Sequence, residues 1–154
     1  MAIQFLDERL SVHRNNSTGA EPIGATPLLI GDIGLQTVAA APAGNAGLVR
    51  IALTGIVGIA LVDAEILTTI TVTIERNGTG TAGTGTVIYT DSFIPPNTGF
   101  DIPPFSVSAG DFPPINIVVA GQIRYRLFIS AGADSVFTLR GPAVFNGSAS
   151  AGTS

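Results

Sequence analysis

Residues 66–78 read ILTTITVTIERNG. Ile66, Thr68, Ile70, Val72 and Ile74 alternate with Leu67, Thr69, Thr71, Thr73 and Glu75. A period of two sends successive side chains to opposite faces, which is the signature of a strand. Most of these residues are β-branched, so their stiff χ1 angles disfavour a helix and suit a pleated surface. The run closes on Arg76-Asn77-Gly78, and Asn-Gly is a strong hairpin signal because both residues tolerate positive φ. The Gly/Thr stretch from Gly80 to Thr86 lengthens this turn into what should be a mobile loop, and Thr86 to Ser92 reads as the returning strand.

The same reading extends outward. Upstream lies LVRIALTGIVGIALV, residues 48–62, in which Val49, Ile51, Leu53, Val57 and Ile59 share one face of a long strand. Gly55 and Gly58 interrupt it and predict a bulge or a close backbone approach. Downstream, residues 94–114, IPPNTGFDIPPFSVSAGDFPP, carry three apolar-Pro-Pro units and read as extended loop. Ile115 to Val119, Gln122 to Ser130, Ser135 to Arg140 and Ala143 to Gly147 follow as expected short strands, with turns at Ala120-Gly121, Ala131 to Asp134 and Gly141-Pro142. In Gln122 to Ser130, Ile123, Tyr125, Leu127 and Ile129 form one face, and Arg124, Arg126 and Phe128 the other. Roughly eight short strands with regular turn signals predict an all-β fold, an antiparallel β-sandwich or jelly roll, over residues 21–148.

The ends differ from this middle. Residues 1–20 read as an arm plus a linker: charges crowd Asp7 to Arg14, and a polar string runs from Asn15 to Gly19. Ile3, Phe5, Leu10 and Val12 line one side of a strand pair with a break at Asp7-Glu8, although the helical spacing Ile3, Leu6, Leu10 fits nearly as well. These four residues are the candidate assembly contacts. The arm either docks on a neighbouring subunit, the favoured reading, or folds back as an edge strand. Residues 149–154 close the chain and should be a flexible tail, being small and polar.

Composition limits the function. The chain has 154 residues, 45% hydrophobic and only 12% charged, against the usual quarter. Its basic residues are all Arg, and a net charge of −4 argues against a nucleic-acid partner, which requires clustered cations. No Cys is present, which excludes disulfides, thiolate metal sites and thiol catalysis. The most apolar run contains Arg50 and stops at Asp63 and Glu65, short of the roughly 18–20 residues a membrane-inserted helix needs. Asp7, Glu8 and Arg9 fall where a signal peptide carries its apolar segment, so no conventional secretion signal is expected.

Catalytic and metal chemistry find little support. His13 is the single histidine and reads as a surface residue; no Gly-x-Ser-x-Gly elbow accompanies it. Asp91, Asp101 and Asp111 lie ten apart beside the Pro-rich segment; turn capping explains them more simply than a calcium site does. Gly80 to Gly85 lacks the Lys and the following helix of a phosphate loop. Arg124 and Arg126 should pair with acidic neighbours such as Glu75. No cofactor, metal or enzymatic activity is expected.

Three segments carry a family resemblance. Ile70 to Gly78 followed by Val87-Ile-Tyr-Thr90, then Gly121-Gln-Ile-Arg-Tyr-Arg-Leu127, then Leu139-Arg-Gly-Pro-Ala-Val-Phe-Asn-Gly147 together resemble exosporium protein C and related spore-surface proteins of Bacillus-like spore formers. Their order matters more than any one of them. The Gly80–Gly85 expansion and the Pro-rich segment depart from that pattern, and the arm has no counterpart in it. The resemblance implies a jelly-roll subunit of the spore surface, an exosporium or endospore-appendage component. Its partners would be further copies of itself and other spore-surface proteins. Without Cys, any fibre would be held by strand pairing and apolar burial alone. The alternatives are a trimeric recognition head for a carbohydrate or receptor, and a viral or phage coat or decoration protein.

Overall fold

The computed structural model describes residues 2–62, 67–96 and 102–152. Its strands are β1 (Gln4–Arg14), β2 (Glu21–Ile23), β3 (Leu28–Gln36), β4 (Val49–Leu61), β5 (Ile70–Arg76), β6 (Thr86–Phe93), β7 (Phe105–Asp111), β8 (Gln122–Ala131) and β9 (Phe137–Ala151). One short helix, α1 (Ile115–Val119), joins β7 to β8, and 3-10 turns at Val38–Ala40 and Ala46–Leu48 join β3 to β4. One sheet runs β1-β9-β4-β7, with β2 also on β9; the other runs β3-β8-β5-β6. Pairing is antiparallel throughout, and most neighbours are distant in sequence. A five-strand and a four-strand sheet wound in this order make a jelly roll.

The stretch that decides the fold behaves as its pattern dictates. Ile70, Val72 and Ile74 point inward and are at most 1% exposed. The strand begins at Ile70, later than the alternation suggests; residues 67–69 are irregular, and Ile66, Asp63 and Glu65 lie outside the described residues, as does Asp101. In β4, all five predicted inward residues are buried. The predicted interruption falls at Gly58: Val57 pairs with Ala143 and Ile59 with Leu139, so Gly58 alone opposes Arg140, Gly141 and Pro142. A Cβ on Gly58 would sit 2.1 Å from the Gly141 carbonyl oxygen, so the two backbones meet where only glycine fits.

Four expectations are corrected. The Gly141-Pro142 turn is a bulge inside one strand: β9 runs unbroken from Phe137 to Ala151, with Gly141 at φ +79°. The same strand absorbs the start of the expected flexible tail, because Ala149 and Ala151 occupy inward positions and are fully buried. Phe105–Asp111, inside the expected loop, forms β7 against β4. Ile115–Val119, an expected strand, is α1. Pro113-Pro114 holds the chain extended just before it, and the Pro114 carbonyl then accepts the Ile117 and Val118 N–H groups. Gly121, at φ +96°, turns the chain into β8.

The core lies between the sheets. Leu53, Ile59, Ile74, Ile123, Tyr125, Phe137 and Phe145 are among its largest buried side chains. The inward set of β8 is Ile123, Tyr125, Leu127 and Ile129, as the alternation requires.

Candidate assembly surfaces

The arm is a strand of the sandwich. From Gln4 to Arg14 it pairs with β9 from Ala151 back to Ala143, so it folds back on its own sheet. The register slips between Phe5 and Asp7, at the break read from Asp7-Glu8, and again between Val12 and Arg14. Phe5, Leu10 and Val12 stand opposite Ser150, Asn146 and Val144, all on the outer face. Consequently the four candidate contacts remain in water: Ile3 is 53% exposed, Phe5 66%, Leu10 65% and Val12 45%. Leu6, which the strand reading left aside, packs against the core instead.

The other edge of β1 meets the edge of β3 in the opposite sheet. Side chains make this seam. The Gln36 N–H donates to the Asp7 carboxylate at 2.9 Å, and the Asp32 N–H donates to Ser11 Oγ at 3.1 Å. Two edge donors of β3 are thereby satisfied without a ladder. Burial acts to raise the Asp7 pKa. The Gln36 N–H, the Arg9 guanidinium at 2.8 Å and the Glu8 N–H outweigh it and hold the carboxyl below its ordinary value of 3.8. Asp32 in turn receives Arg124 at 3.1 Å and Arg126 at 3.2 Å, so the arginines of β8 pair with Asp32 and not with Glu75.

The opposite side, β6 over β7, is built differently. Both strands end their sheets, and among the described residues no side chain of one bonds the backbone of the other. Phe93 and Phe105 meet edge to face at 5.0 Å near one end. Near the other end, Arg76 donates to both Asp111 oxygens at 2.8–2.9 Å, and the Tyr125 hydroxyl donates to the same carboxylate at 2.7 Å. These groups are nearly buried, and burial first, then the bond to Asp111, pushes the Tyr125 pKa far up. The arrangement is an ionic clamp between sheets. It also accounts for Asp111, while Asp91 lies exposed on β6.

Glu75, 2% exposed, is the residue whose role the sequence hid. Its carboxylate accepts the Gly83 N–H at 2.5 Å and the Gly85 N–H at 3.0 Å. Arg126 donates to the Gly78 carbonyl. The Gly/Thr loop expected to be mobile is therefore tied to the sheet through its own backbone. His13 contacts Glu21 at 2.7 Å at the surface. Among the described residues no cluster of three or more His, Asp or Glu side chains is placed to hold a metal ion, and no helix is long and apolar enough to cross a membrane.

No family model matches the chain, and no curated protein does. Several solved structures are similar to it. A chain of the IBDV viral particle shares 10% identity over 92% of this chain, with a TM-score of 0.48; this chain spans 30% of that longer one. The Eiger TNF of S. frugiperda shares 14% identity over 94% of this chain and 92% of its own, with a TM-score of 0.43. A chain of Desmodium yellow mottle tymovirus shares 8% identity over 97% of this chain and 86% of its own, at 0.34.

Proposed function

We propose that this chain is a non-enzymatic structural subunit that assembles with copies of itself and with other proteins on a spore surface, outside the cell. The observation that carries the assembly is the exposure of Phe5, Leu10 and Val12 on a strand already paired with its own sheet, and of Ile3 just before it. A monomer gains nothing from four large apolar groups in water; each adds about 1.5–3 kcal/mol when fully buried. Support also comes from the unpaired edges of β6 and β7, which are templates for strand addition. The spore-surface assignment rests on the three-segment resemblance. The arm contributes to association through its outer face, or by exchanging onto the β9 edge of a neighbour with residues 15–20 as the connection.

Removing the arm would strip β9 of its partner, so a cleaner test charges its outer face. The chain should form fibres or large oligomers in negative-stain micrographs, and Leu10→Asp with Val12→Asp should abolish them while the strand signal in circular dichroism persists. A wild-type chain that stays monomeric at high concentration overturns the reading.

A further inference from the structure

One end of the sandwich is largely apolar, broken at its surface by Asn116. It is built by the β3–β4 connection, residues 37–48 (TVAAAPAGNAGL), and the β7–β8 connection, residues 112–121 (FPPINIVVAG). Neither contains a charged residue. The connections are locked together. Thr37, fully buried, donates its hydroxyl to the Val118 carbonyl at 2.7 Å and its N–H to the Gly121 carbonyl at 2.9 Å. Val118 anchors α1 in the core, which turns Ile115 and Val119, four apart on one helical face, toward solvent. Phe112 is 77% exposed, Val38 64%, Ile115 58%, Val119 56% and Leu48 37%.

With full residue areas of roughly 150–250 Å², these five side chains leave on the order of 500 Å² of apolar surface in water. The largest patch on an ordinary monomer is about 300–600 Å² and itself often functional. A stable pairwise interface takes about 800 Å² from each partner. The patch therefore supplies most of one half of an interface.

We infer that this end is a two-fold interface with a second copy of the chain, joined end to end through Phe112, Ile115 and Val119. The inference shares with the proposed function only the premise that copies associate; its five side chains, Phe112, Val38, Ile115, Val119 and Leu48, belong neither to the outer stripe of β1 nor to the open edges. Self-pairing follows from the chemistry of the patch. An apolar cap meets its own image with little charge to desolvate, because Arg50, beside Leu48 and Phe112, already donates to the Gly152 carbonyl at 2.6 Å, whereas the opposite end of the molecule carries Asp134 in the β8–β9 turn. An anionic lipid surface would require basic residues in these connections, and they have none. The bonds at Thr37 fix the cap beforehand, so little ordering accompanies docking.

The test uses the full chain carrying Leu10→Asp and Val12→Asp, which removes the β1 stripe. Sedimentation equilibrium should show a dimer. Adding Phe112→Asp and Ile115→Asp, both exposed and so tolerated by the fold, should weaken it at least about 100-fold. The chain lacks Cys, so Phe112→Cys, Ile115→Cys and Val119→Cys can each be oxidised singly. A two-fold axis brings identical positions together and predicts a crosslinked dimer at one or more of them. A monomer before the loop charges are added overturns the inference. So does a dimer that survives them, a failure to crosslink at all three positions, or flotation of the chain with phosphatidylcholine vesicles. Fibres formed by the wild-type chain but unaffected by the loop charges would defeat this interface and leave the proposed function standing.

Discussion

The two long sides of the sandwich solve the same problem in opposite ways. At β1/β3, the sheets are joined along their edges by side chains that reach backbone donors, and the groups involved are half-buried or exposed. At β6/β7, the edges are left open, and the sheets are joined by the nearly buried Arg76–Asp111–Tyr125 clamp and one aromatic contact. The first device blunts an edge; the second preserves it. A protein whose only requirement was solubility would close both, since an open edge invites another strand. Leaving one side open while fastening it from within fits a subunit that receives partners there.

Breaking the clamp should have the largest effect. Asp111→Ala leaves Arg76 buried without its partner and should cost about 3–5 kcal/mol in urea unfolding. Replacing all three groups by apolar ones (Arg76→Met, Asp111→Leu, Tyr125→Phe) should recover most of that loss. If the single change costs no more than an exposed ion pair, the clamp is not what holds this side. Next comes Glu75. Glu75→Ala deprives two backbone donors of a charged acceptor and should cost about 1.5–3 kcal/mol. Hydrogen exchange should accelerate at Gly83 and Gly85 while β8 amides stay protected; uniform acceleration would mean that Glu75 supports the whole sheet.

The β1/β3 seam should respond more weakly and with pH. Asp7→Ala should cost about 1–2 kcal/mol, because the Gln36 N–H then finds water as a substitute. The sign of the pH effect follows from the lowered pKa of Asp7 in the fold. Its contribution is complete above the ordinary value of 3.8 and fades as pH falls through the lower folded value. Wild type should therefore lose stability over that acid range relative to Asp7→Asn, as followed by thermal unfolding. Parallel pH profiles would contradict the role given to Asp7.

How far the sequence disclosed this molecule depended on whether a segment's pattern was set locally. The β-branched alternation of β5, the inward set of β8 and the hairpin from β5 to β6 are local, and each was legible. β7 was hidden because the prolines around Phe105 to Asp111 signal loop while the strand is specified by its ladder to β4. The continuity of β9 was hidden because Gly-Pro signals a turn; what carries the strand past it is Gly58 across the ladder, a residue more than eighty positions away. α1 was misread because five apolar residues fit either period. The stripe of Ile3, Phe5, Leu10 and Val12 was legible as one face but not its direction, since only pairing with β9 decides which face meets water. The roles of Glu75 and Asp111 depend on groups brought close by the fold, and no spacing in the chain announces them.

The smallest effect on stability should fall at the open edge, where it discriminates most. Val87 lies on β6 with half its surface in water. Val87→Lys adds an edge charge of the kind that blocks strand addition, and as an exposed substitution it should change unfolding free energy by no more than about 0.5 kcal/mol. If the edge receives a neighbour's strand, fibres should shorten or vanish although the fold is untouched. The matched substitution Ser11→Lys, at the seam already closed by side chains, should act in reverse: it disturbs the bond to Asp32 and lowers stability, yet it leaves lateral growth at β6 intact. Equal effects of the two lysines on assembly would erase the contrast between the sides. Loss of assembly at Val87 alone would tie the open edge to growth, because the two chains would differ in what they can recruit and not in whether they fold.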